Sequence, residues 1–151
     1  MINRLDFYLN IVENSINDLK RYKEKISPLI PINYNTYEDL LEYNKEIIDA
    51  IAFRFLKVQS LLGEKVFKNF LYSLGYNIDI SFLEILSELE KLNILNRKEW
   101  IKLREIRNKI SHEYPNEIDE VIDNLNLMIE NIDYLEKIYL KIKDKIETLK
   151  E

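Results

Sequence analysis

The sequence predicts an all-α protein, an antiparallel bundle of four to five helices built from one domain over residues 1–151. Three observations predict it. Apolar residues recur three and four positions apart through most of the chain, the period of a helix with one buried face. Turn chemistry is scarce, with Gly 2 and Pro 3, which disfavours all-β and glycine-loop architectures. The 46% hydrophobic and 32% charged residues supply a dry and a wet face for each helix, and 151 residues suffice for one core but not two.

The first helix aligns Ile2, Leu5, Leu9, Val12, Ile16, Leu19 and Ile26 on one stripe, with Lys23 as its one break. Pro28 and Pro31 stop it, because neither donates a backbone hydrogen bond, and the chain to Asn35 reads as a loop. Asn35 with Glu38, or Thr36 with Asp39, offers the N-cap of a long second helix carrying Leu40, Leu41, Ile47, Ile48, Ile51, Phe55, Val58, Leu62, Phe67 and Phe70. Gly63 stands where it can kink this helix and Gly75 where it can end it. Ser81 with Glu84 caps a short third helix with Leu83, Leu86, Leu89 and Leu92 inward. Asn96 with Glu99 caps a fourth, whose inner face holds Trp100, Leu103, Ile106 and Ile110; it ends near His112, because Tyr114 precedes Pro115. The last helix begins near Pro115 and carries Ile118, Ile122, Leu125, Ile129, Ile132, Leu135, Tyr139, Ile142, Ile146 and Leu149. Helices this long, joined by short loops, pack antiparallel.

Composition also bounds function. Cys 0 removes disulfides, thiolate nucleophiles and cysteine zinc sites, and a single histidine, His112, excludes a His-rich metal centre, so no metal or other cofactor is expected. Arg4 and Asp6 occupy the place of a signal peptide's apolar run, and charges interrupt every stretch before the ~20 apolar residues of a spanning helix, so a cytoplasmic protein without a membrane partner is expected. Ile 23, Lys 16, Asn 16 and Tyr 10 all have A/T-rich codons, so abundant tyrosine and lysine point to an A/T-rich genome before they point to nucleic acid. A net charge of −5 argues against non-specific coating of nucleic acid, so any such contact must be local.

One place meets that condition. From Arg97 to Lys109 there are six basic residues (Arg97, Lys98, Lys102, Arg104, Arg107, Lys109) against two acids, Glu99 and Glu105. The strip leads into His112, the side chain whose ordinary pKa lies nearest neutrality. With Leu103, Ile106 and Ile110 inward, Arg107 lies about 40° from the inner face and His112 nearly opposite it, at 100° per residue. They converge if the helix frays before Pro115, or if two copies face each other across a two-fold axis. The plain alternative is a solvated helix face, with His112 a favourable cation at a helix C-terminus and Arg107 ion-paired to Glu105, Glu113 or a partner chain.

Arg107-Asn108, three further residues, His112 and then Tyr114 resemble the Arg-polar-x-x-x-His signature, in its Arg-x4-His-x-Tyr form, of HEPN domains. The chain looks most like the HepT-like toxins encoded beside a minimal nucleotidyltransferase antitoxin. The segment from Ala52 to Lys65 is similar to their long second helix, and Leu103 to Pro115 to their motif helix; the likeness covers about residues 1 to 145. This resemblance implies a HEPN-like bundle that dimerises through the motif helix, a cleft shared by two motifs, and a metal-independent endoribonuclease. It implies Arg107, His112 and Asn108 as catalytic residues, with Arg104, Lys109 and Lys102 binding an RNA substrate and Tyr114 the tyrosine to which the nucleotidyltransferase antitoxin adds AMP. The chemistry is consistent with these residues: RNA carries its own 2′-hydroxyl nucleophile, a histidine can move the proton, and a forked guanidinium suits phosphate.

Two other classes of function stand beside a toxin ribonuclease. One is a non-catalytic subunit that presents substrate to a minimal nucleotidyltransferase, and the other is a structural helical adaptor. The intact set of Arg107, Asn108, His112 and Tyr114 favours the ribonuclease, since a binding subunit has no need of all four. Arg54, between Phe53 and Phe55, reads as an ion-paired arginine at the edge of the core, and Trp100 as a core residue.

Overall fold

A computed structural model describes residues 2–111 and 118–150, and within them the side chains of all but residues 2, 3, 43, 107–111 and 150. Among the described residues every regular element is helical. They are α1 (Ile2–Lys25), α2 (Tyr34–Tyr43), α3 (Lys45–Leu61), α4 (Phe67–Ser73), α5 (Phe82–Lys91), α6 (Arg97–Ser111) and α7 (Ile118–Lys150).

α1, α3 and α7 form the centre of the bundle, each packed on the other two. The stripe on α1 is buried from Leu5 to Leu19, and that on α7 from Ile122 to Ile146; its two ends, Ile118 and Leu149, remain exposed. Three ion pairs record the register: Glu13 with Lys143, Lys20 with Glu136 and Lys23 with Asp133. As one partner advances the other recedes, so α1 and α7 run antiparallel. These pairs sit at the surface and each contributes about 0–1 kcal/mol, so the apolar seam beneath them supplies most of the association. Lys20 is held protonated to higher pH than an ordinary lysine, chiefly by its hydrogen bond to Glu136.

The predicted second helix is interrupted. At Asn44 the backbone leaves helical geometry, with φ −143° and ψ 34°, and α2 gives way to α3. The apolar spacing runs through this break without a phase change, so periodicity cannot reveal it; Asn44, whose short amide competes with the backbone, is where the chain turns. The cap of α2 also differs from expectation. Asn33, not Asn35 or Thr36, is the N-cap: its side chain accepts from the Thr36 N–H at 3.1 Å, and Thr36 Oγ1 accepts from the Asn33 N–H at 2.8 Å. A threonine here does what glutamate does in the usual capping box. The preceding loop is tied to α7 by Asn126, whose amide accepts from the Ile32 N–H at 2.8 Å and donates to the Ile32 carbonyl at 2.9 Å.

The expected kink at Gly63 is a π-helical turn, Leu62–Val66, joining α3 to α4. Gly75, at φ +90°, terminates α4 as expected, with the Tyr76 N–H returning to the Leu71 carbonyl at 3.0 Å. Ser81 caps α5 through the Glu84 N–H at 3.2 Å. The buried face of α5 is Ile85, Leu86 and Leu89, whereas Leu83 is 54% exposed. A leucine at every third position drifts around a 3.6-residue helix, and the pair Ile85–Leu86 marks the true inner face.

Candidate functional site

Apart from Arg54, the residues singled out by sequence belong to α6 or follow it in the chain, and the placement of α6 is set by its first ten residues. Asn96 Oδ1 accepts from the Glu99 N–H at 3.1 Å, as the capping pattern predicts. Next to it the Arg97 N–H donates to Glu90 at 2.8 Å, and the Arg97 guanidinium donates to Ser87 Oγ at 3.1 Å, tying α6 to α5. Trp100 is fully buried and meets Phe67 edge to face, ring centres 4.8 Å apart. Leu103 and Ile106 continue this face into the core.

Arg104 and Lys102 diverge. Two residues on a helix subtend about 200°, so these cations leave opposite flanks of α6. Lys102 borders a groove of about 440 Å³ between α6 and α7, shared with Glu99, Glu105, Asn131 and Tyr134. Its two carboxylates offset the ammonium, and the ground there favours no anion. Burial pushes the Tyr134 phenol up to about 12, against the opposing pull of the Asn96 N–H, which it accepts at 3.4 Å. Arg104 instead stacks on Phe82, its guanidinium carbon 4.8 Å from the ring centre, and lines a cavity of about 250 Å³ together with Lys68.

The basic strip is therefore three things. Arg97 is engaged in joining helices, Lys102 faces an acidic groove, and Arg104 opens on a cationic one. Arg107 and Asn108 follow Arg104 by three and four positions, the spacing of neighbours on a helix face; Lys109 follows Lys102 by seven, or about two turns. The side chains of Arg107, Asn108 and Lys109, and the whole of His112 and Tyr114, lie outside the described residues. Among the described residues no three acidic or histidine side chains gather as metal ligands, and no helix is long and apolar enough to cross a membrane.

Arg54 is accounted for. Its guanidinium pairs with Asp18 at 3.4 Å, joining α3 to α1, as its place at the core edge suggested. Sequence reasoning passed over Gln59, Lys68 and Phe82, which line the cavity beside Arg104. The signal for Gln59 was present: it stands in the apolar stripe between Val58 and Leu62, where a polar residue has no packing reason to be. Lys68 and Phe82 carried no such mark, since they come to Arg104 only through the tertiary fold. Compared with protein-family models, curated proteins and solved structures, the chain matches none.

Proposed function

We propose that this chain is the toxin of a toxin–antitoxin pair, a metal-independent endoribonuclease of the HEPN, HepT-like kind that works as a homodimer. The observation that carries this reading is the sequence Arg107-Asn108-x-x-x-His112-x-Tyr114 at the end of the α6 segment, within an all-helical chain. The flank of α6 that bears Arg104, with Arg107 and Asn108 following at neighbouring positions, supports it as the side that meets a polyanion.

In the proposed reaction His112 takes the proton of an RNA 2′-hydroxyl, and that oxygen attacks the adjacent phosphorus. The bond to the 5′-oxygen breaks, and His112 of the partner subunit protonates the departing oxygen. The products are a 2′,3′-cyclic phosphate and a 5′-hydroxyl end. Arg107 stabilises the added charge on the phosphoryl oxygens, Asn108 orients the imidazole or a phosphate oxygen, and Arg104 and Lys109 hold the strand, while Lys102, in its acidic groove, takes little part. A dimer supplies the second histidine that one chain lacks.

Tyr114 is the proposed point of control. In transfer of the adenylyl group of ATP by a minimal nucleotidyltransferase, the Tyr114 hydroxyl oxygen attacks the α-phosphorus, its proton is lost and pyrophosphate departs, and the AMP left on the tyrosine adds an anion that competes with the substrate for Arg107. The protein in EDTA should cut single-stranded RNA, leave 2′,3′-cyclic ends and spare DNA. Cleavage that needs a divalent ion, or ends of another chemistry, contradicts the reading. With the partner enzyme, ATP and magnesium, adenylate should appear on Tyr114 and cleavage should stop, while Tyr114→Phe escapes control.

A further inference from the structure

The cavity beside Arg104 holds an unexplained pair of polar groups. Gln59 is only 2% exposed, and neither its amide nitrogen nor its amide oxygen has a hydrogen-bond partner among the described residues. The Trp100 indole N–H, on the same wall, is buried and unpartnered as well. A buried amide left unsatisfied is destabilising, so a fold that keeps one at an apolar position retains it against its own stability. Apolar neighbours frame it: Val58 on α3, Leu62 at the start of the π-helical turn, and Phe67 against Trp100. A leucine or methionine would suit that place better if packing were the purpose.

The surroundings of Gln59 are specific in shape and charge. The π-helical turn begins three residues after it, and such turns often mark functional sites. Gly63 within it leaves room: a Cβ there would lie 3.4 Å from Trp100 and 3.9 Å from Phe82, taking up part of the cavity. At the exposed rim stand Lys68 and Arg104, the latter with its guanidinium carbon 4.8 Å from the Phe82 ring centre. Glu64, the one carboxylate on the wall, has an interaction of its own.

We propose that this cavity binds one nucleotide, the base inside and the phosphate at the rim. Gln59 offers an adjacent donor and acceptor, which match the paired acceptor and donor on the edge of a nucleobase. The indole N–H of Trp100 supplies a further donor. Lys68 and Arg104 take the phosphate, Arg104 through the fork that its stacking on Phe82 preorganises. At about 250 Å³ the space lies below the roughly 300–1,000 Å³ of drug-sized sites, as suits a single base. The inference concerns the flank of α6 and does not need RNA cleavage to be true.

Trp100 is the chain's one tryptophan, so its fluorescence reports on this cavity. Nucleoside monophosphates titrated into the full chain, with ligand absorbance corrected, should change that emission saturably. Gln59→Met, close in shape and relieved of the buried amide, should keep or raise the thermal midpoint while weakening binding about tenfold or more. Lys68→Ala, at an exposed position, should weaken nucleotides but not the phosphate-free nucleosides. A short single-stranded oligoribonucleotide that displaces the mononucleotide and binds tighter identifies the ligand as a base of RNA; displacement only by free nucleotides identifies a soluble one. An equal response to inorganic phosphate, no response to any nucleotide at millimolar concentration, or unchanged binding by Gln59→Met overturns the proposal. Because the readout is binding, an inactive ribonuclease would still decide it.

Discussion

The two flanks of α6 carry similar cations and differ in nearly everything that gives a cation its use. On one, Lys102 shares a groove with Glu99, Glu105 and the half-buried Tyr134, so two carboxylates lie near its charge. On the other, Arg104 lies on Phe82 and shares a cavity with Lys68, a buried amide and an indole N–H that lack partners among the described residues. Local charge counts treat these flanks as one basic strip. The difference lies in what the rest of the fold brings to each side: carboxylates to the lysine flank, and an aromatic ring and a second cation to the arginine flank.

The comparison rests on α6 being held in place, and the largest effect should come from removing its anchor. Trp100→Ala empties the contact with Phe67 and should cost about 3–5 kcal/mol in urea unfolding, a large share of a domain's stability. A loss below about 1 kcal/mol would show that α6 is not positioned by this contact. Next, Arg104→Ala should weaken single-stranded RNA binding about tenfold and flatten its salt dependence, whereas Lys102→Ala should change affinity by no more than about twofold. Equal effects would erase the distinction between the flanks.

Smaller changes sharpen it. Gly63→Ala places a methyl group in ordinary contact with Trp100 and should stabilise the chain by roughly 0.5–1 kcal/mol, because glycine loses more backbone freedom on folding than alanine, while narrowing the arginine-side cavity. Thermal unfolding of the variant checks the sign. The last effect belongs to the lysine flank. Burial raises the Tyr134 phenol to about 12, above its ordinary value of 10.0, so the fold prefers the neutral form. Its contribution to stability is fully present below pH 10 and is lost as the pH rises toward 12. Tyr134→Phe should blunt alkaline unfolding in that window, and an unchanged profile would remove the phenol as its cause.

Much of this was legible in the chain. The stripes of α1 and α7 are long enough for their period to be unambiguous, and the caps at Ser81 and Asn96 and the stop at Gly75 act through neighbours in sequence. The break at Asn44 was not legible, because the apolar phase continues across it, and Asn33 escaped notice because Thr36 replaces the acid of the usual box. For the site, the α6 helix was legible in the spacing of Trp100, Leu103 and Ile106 and in the cap at Asn96. Sequence could not divide the strip, since Phe82, Lys68 and Gln59 reach Arg104 from three other segments. Gln59 was visible as a misfit in an apolar stripe, and its meaning came only with the cavity.

The central claim is that the end of α6 cuts RNA through Arg107 and His112. Its most direct test is the cleavage rate of a single-stranded RNA in EDTA by the wild-type chain, His112→Ala and Arg107→Ala, each shown by circular dichroism to be folded. The account predicts cleavage by the wild type and a fall of about 100-fold or more in both variants, the scale of losing an acid–base group or a preorganised charge. A folded His112→Ala that cuts as fast as wild type, or a wild type that cuts nothing, would contradict it.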